Sequence, residues 1–68
     1  MGDPGEVRTP RGVAALGEFI RSQRRIADLS QRELARLADL SDAYLSQLER
    51  GLHEPSVRVL NGLAQALN

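Results

Sequence analysis

A chain of 68 residues buries only about 60 per cent of its unfolded surface, which allows one small domain with a thin core and no room for an enclosed catalytic cleft. With no cysteine, a single histidine (His53) and no long apolar run, the sequence offers no disulfide staple, Cys/His zinc site, membrane span or signal-peptide core, so the expected protein is cytoplasmic, non-enzymatic and free of metal and cofactor. Nine basic residues offset nine acidic ones, which on its face argues against nucleic acid, yet all the cations are arginines and a local basic edge is compatible with zero net charge.

Residues 1–12 contain three glycines, two prolines and no periodic apolar face, so a flexible arm carrying Arg8 and Arg11 is expected there. Such an arm is either an inert tail or a segment that touches phosphate or the minor groove. The rest, 13–68, reads as one all-α domain. From Val13 to Ala27, Leu16, Phe19, Ile20 and Ala27 recur at helical spacing with Arg21, Arg24 and Arg25 between them, the pattern of a first helix. Ser30-Gln31-Arg32-Glu33 has the form of a capping box and predicts a second helix over Gln31–Ala38, with Leu34, Ala35, Leu37 and Ala38 on its inner face. Asp39-Leu40-Ser41-Asp42 supplies a turn and a fresh cap. A third helix, Asp42–Arg50, turns Leu45 and Leu48 inward and stops at Gly51, the usual left-handed position. After Leu52-His53-Glu54-Pro55, Ser56 opens a fourth helix reaching Leu67, with Leu60, Leu63, Ala64 and Leu67 as its buried stripe.

Two short helices joined by a turn of about three residues have the spacing of a helix-turn-helix. Ala35 falls where the two cross, and a small side chain there lets them approach. Leu45 and Leu48 anchor the second of the pair and leave its other side polar and protruding: Asp42, Ala43, Ser46, Gln47 and Arg50, with Tyr44 near its start.

This sequence resembles the Cro and C1-repressor-like (Xre) helix-turn-helix domain. The resemblance runs from Leu16 to Leu67. It rests on Leu16-Gly17, Ile20-Arg21 with Arg24, Leu29-Ser30-Gln31, Glu33-Leu34-Ala35, Tyr44-Leu45-Ser46-Gln47-Leu48-Glu49-Arg50-Gly51, Pro55-Ser56, and Leu63-Ala64 with Ala66-Leu67. Each piece is weak alone; their order and spacing are specific. The resemblance implies a compact four-to-five-helix bundle of the phage-repressor DNA-binding type, with the helix-turn-helix at helices two and three. It also implies sequence-specific binding to double-stranded DNA as a transcriptional repressor or regulator, acting as a homodimer on two half-sites, with no small-molecule site in this chain.

Under that resemblance the third helix lies in the major groove, and Asp42, Ala43, Tyr44 and Gln47 face base edges. The Gln47 amide offers a donor and an acceptor together, which suits adenine N6 and N7. Asp42 either accepts from cytosine N4 or simply places charge at a helix N-terminus. Tyr44 contacts a thymine methyl or a phosphate, or packs against the turn. Gln31 resembles the family's phosphate-gripping glutamine at the start of helix two. Ser41, Ser46, Arg50, Ser56 and Arg58 are the further phosphate contacts, with the Val57 amide beside Ser56; Ser30 and Ser41 are primarily caps. Arg36, Arg50 and Arg58 read equally well as solvated helix faces or as arginines that set register without reading sequence. Arg24 and Glu49 match a pair that in the family joins helices one and three through two parallel bonds. His53 is an ordinary exposed residue or a phosphate contact.

Two features depart from the family pattern. Asp39 stands where such turns usually carry glycine, and Asp28 occupies a similar place after the first helix; aspartate tolerates left-handed geometry with some strain. Family members usually continue into a fifth helix beyond the position of Asn68, which implies a fragment that is by itself a weak dimer at best. The alternative to a DNA reader is a protein-interaction adaptor or antitoxin-like module that reuses the fold, supported by the zero net charge and by Asp42 on the reading helix.

Overall fold

The computed structural model describes residues 10–68. Residues 1–9 of the expected arm, with Arg8, and the side chain of Arg11 lie outside the described residues. Four helices follow in chain order: α1 (Pro10–Ile26), α2 (Gln31–Leu37), α3 (Asp42–Glu49) and α4 (Val57–Leu67), with no strand among the described residues. The arm was expected to reach residue 12, but α1 already begins at Pro10. Near a helix N-terminus a proline is tolerated, because its missing N–H leaves no intrahelical bond unmade and its φ suits the helix.

The three later helices are opened in the same way by serine. Ser30, Ser41 and Ser56 adopt extended backbone and accept through Oγ from the amides of Glu33, Tyr44 and Val59 at 3.0, 3.1 and 3.2 Å. At Ser30 the capping box is complete, because its amide donates to Glu33 Oε1 at 2.7 Å. These bonds satisfy donors that a helix start leaves free. Ser56 is thus the cap of α4 as expected, and the helix itself begins one residue later, at Val57.

The ends of α1, α2 and α3 also share one device. Asp28, Asp39 and Gly51 have φ of 61°, 62° and 76°. The amides of Asp28, Asp39 and Gly51 donate to the carbonyls of Arg25, Arg36 and Leu48, and those of Leu29, Leu40 and Leu52 to the carbonyls of Arg24, Ala35 and Gln47. This double return of hydrogen bonds around a left-handed residue closes a helix and swings the chain away from its axis. The first two connections are the same tetrapeptide, Ala-Asp-Leu-Ser, at 27–30 and 38–41. In both, the leucine packs against the core and the serine caps the next helix.

Ile20, Leu34, Ala35, Leu45, Leu48 and Leu63 form the buried core. Around them lie half-buried Leu16, Leu29, Ala38, Leu40, Tyr44, Val59, Ala66 and Leu67. Helix α3 packs on both α1 and α2, and α4 closes over α2. A Cβ on Gly17 would stand 2.4 Å from the Leu48 carbonyl oxygen and 2.7 Å from that of Glu49. Only glycine lets α1 rest on the last turn of α3. Several apolar positions expected inside are exposed: Phe19 and Leu37 are 59% and 60% accessible, and Ala27 and Ala64 are also at the surface. Helical spacing identifies an apolar stripe, but four short helices cover only its middle. Phe19 therefore borders a shallow groove with Ala64 and Leu67 between α1 and α4.

Candidate nucleic-acid interface

Helices α2 and α3 stand as a helix-turn-helix joined by Ala38–Ser41. Ala35 is 1% accessible between them, and Leu45 and Leu48 bury one side of α3. On its other side Asp42, Ala43 and Arg50 are exposed, while Tyr44, Ser46 and Gln47 are half-buried. The Tyr44 ring packs against the core and lies 6.0 Å from the His53 ring, centre to centre, at a tilt of 50°. This packing is against the core and His53, and it does not decide between the roles expected for Tyr44. His53, exposed in the loop after α3, is its neighbour. Among the described residues no side-chain hydrogen bond engages the Gln47 amide, which leaves its donor and acceptor open to solvent.

The last turn of α3 is fixed by Glu49, whose side chain is wholly inaccessible although it carries charge. Arg24 reaches it from α1 in the fork expected of the pair: Nε donates to Oε2 at 2.7 Å and Nη2 to Oε1 at 3.0 Å. The third nitrogen, Nη1, donates to the Leu29 carbonyl at 3.0 Å and so ties the same arginine to the turn before α2. Gln31 Nε2 donates to Glu49 Oε1 at 3.2 Å, and Arg21 Nε lies 3.7 Å from the same oxygen. Burial pushes the Glu49 carboxyl up, but the Arg24 and Gln31 hydrogen bonds and the charges of Arg24 and Arg21 outweigh it and hold the group below the usual carboxylate value. The Arg24 guanidinium is correspondingly raised by its bonds to Glu49 against the opposing effect of burial. Three elements, α1, α2 and α3, thus meet at one carboxylate.

Gln31 has one amide hydrogen engaged on Glu49 and a second still available. The Ser41 and Ser56 hydroxyls accept from backbone amides, and a hydroxyl so engaged keeps its own O–H to donate outward. Arg50 is the exposed C-cap of α3, with its amide bonded to the Ser46 carbonyl at 3.1 Å. Arg58, exposed in the first turn of α4, lines a groove with Val59 beside Ala38, Asp39 and Leu40, the turn between α2 and α3. Two arginines that sequence reasoning left without a role also enter. Arg21 lies one helical turn before Arg24, and that spacing was the available signal. Arg32 faces Asp42, its Nε 3.6 Å from Oδ2; this contact between two helices has no local signature in the sequence.

Comparison with known proteins agrees with this geometry. The family model described as "Helix-turn-helix domain" matches residues 15–68. A Mycobacterium tuberculosis protein named as an uncharacterized HTH-type transcriptional regulator is 55% identical over 51 residues, covering 75% of this chain but only 36% of that protein. The crystal structure of the restriction-modification controller protein C.AhdI from Aeromonas hydrophila superposes with a TM-score of 0.82 at 33% identity, covering 84% of this chain and 86% of that one. The clp gene regulator ClgR from Corynebacterium glutamicum gives a TM-score of 0.79 at 40% identity, over 88% of this chain and 74% of that one. The Arg24–Glu49 clasp and the two capped helices of residues 31–49 lie inside the matched region, and the chain belongs to the helix-turn-helix family.

Proposed function

We propose that this chain is the sequence-reading domain of a transcription regulator, a repressor in its simplest form, which binds double-stranded DNA in the bacterial cytoplasm with α3 in the major groove. The observation that carries the reading is the presentation of α3. Its buried side and last turn are fixed by Leu45, Leu48 and the Glu49 clasp, while Asp42, Ala43 and Gln47 stand on a short polar ridge. A major groove admits one helix in this way. Gln47 is the adenine reader. Tyr44, on the same helix, contacts a thymine methyl or a phosphate beside the ridge. Gln31, Ser41, Ser46, Arg50, Ser56 and Arg58 grip phosphates on either side and set the register, since phosphate contacts position without specifying sequence. Two copies act on half-sites about 34 Å apart, one duplex turn.

The test separates reading from gripping. Gln47→Ala is expected to lose about 1 to 3 kcal/mol on the preferred site and to relax preference at one position. Gln31→Ala is expected to weaken preferred and random DNA alike. Both are measured at one salt concentration, because phosphate-driven affinity varies steeply with salt. If Gln47→Ala lowers affinity equally on every sequence, or if neither variant matters, α3 is not a reading helix. The zero net charge then favours a protein partner for the same ridge.

A further inference from the structure

The ion pair between Arg32 and Asp42 serves no evident purpose in the fold. Its 3.6 Å separation exceeds a hydrogen bond, and the two side chains are 76% and 57% accessible. Exposed pairs of this kind add little to stability. Its position is informative instead. Asp42 is the first residue of α3 and Arg32 the second of α2, so the pair bridges the two helices at the N-terminal end of the polar ridge. Arg36, Asp39 and Leu40 line the same open groove.

A carboxylate brought to DNA is repelled by phosphate, and left alone at a helix start it turns to the free amides of its own first turn. The Arg32 guanidinium places an opposite charge 3.6 Å from Oδ2, and Oδ1 is left for an outside donor. In the major groove the donor that a carboxylate accepts from is the cytosine N4 amine. We infer that Arg32 is a positioning residue for sequence preference: paired with it, Asp42 reads cytosine at one base position. This rests on the proposed placement of α3 in the major groove.

The experiment selects bound sequences from random DNA with the full chain and then compares variants on the selected site at fixed salt. Asp42→Ala is expected to abolish a cytosine preference of roughly tenfold at one position, and Asp42→Asn to turn that position toward adenine, which the asparagine amide matches. Arg32→Ala is expected to reduce the same preference to under threefold while the thermal midpoint stays unchanged, and Arg32→Lys to restore part of it. The inference is overturned if Arg32→Ala weakens all sequences equally with the cytosine preference intact, or if Asp42→Ala leaves every preference as it was. Gln47→Ala distinguishes the two levels. If it relaxes preference where Arg32→Ala does not, the placement of α3 stands and the role of Arg32 falls; if no variant changes preference, both fall.

Discussion

An unpaired carboxylate inside a protein costs several kcal/mol, and Glu49 avoids this through three hydrogen bonds, two from Arg24 and one from Gln31. Because its folded-state pKa is lowered, the stability it contributes is fully present above the ordinary carboxylate value of 4.5 and disappears as pH falls through the lower, folded value. Glu49→Gln is therefore expected to cost about 2 kcal/mol at neutral pH, which lowers the melting midpoint by roughly 10 °C in a domain of this size. The difference from wild type should shrink as the solution is acidified below pH 4.5. A gap that is constant down to acid unfolding would mean that Glu49 is not charged in the native state. The Arg24–Glu49 pair was legible only through resemblance, since nothing in local spacing joins positions so far apart. Gln31 and Arg21 were not legible as its partners, because their convergence depends on how α1 and α2 lie against α3.

The elements themselves were mostly written locally. Serine caps and the capping box placed the starts of α2, α3 and α4 to within a residue, because each is a bond between neighbours in sequence. The first turns of α1 were not, since Pro10 and Gly12 look like breakers although both lie within the helix. Phe19 and Leu37 were misjudged because amphipathic spacing does not say how far a neighbouring helix extends. The repeated Ala-Asp-Leu-Ser shows a connection reused with the same geometry, φ 61° at Asp28 and 62° at Asp39. A left-handed residue with a side chain carries strain that glycine lacks. Asp28→Gly, away from the polar ridge, is expected to stabilise the fold by about 0.5 to 1 kcal/mol net of the greater freedom that glycine gives the unfolded chain. Urea unfolding with an unchanged slope would measure it, and a loss of stability would show that the aspartate makes a compensating contact.

At the scale of the molecule, most hydrogen bonds that shape the chain are local, closing within five residues at caps and helix ends. Helical domains of this kind fold fast because such closures demand little loop entropy. The bonds between Arg24 and Glu49 differ: they span 25 positions and enclose the whole of α2, with Gly17 seating α1 on the same turn of α3. A fork of charged bonds needs both helices already in place, so it is expected to form on the downhill side of the folding barrier. Substitutions there act on escape from the native state rather than on arrival. Stopped-flow measurements on Arg24→Ala should show faster unfolding with a nearly unchanged folding rate; a folding rate that slows in proportion to the lost stability would place the fork in the nucleus instead. The clasp thereby ties the aim of α3 to the integrity of the whole domain: one arginine joins the last turn of α3 to α1 and to the turn before α2, so none of the three can part there without breaking the fork.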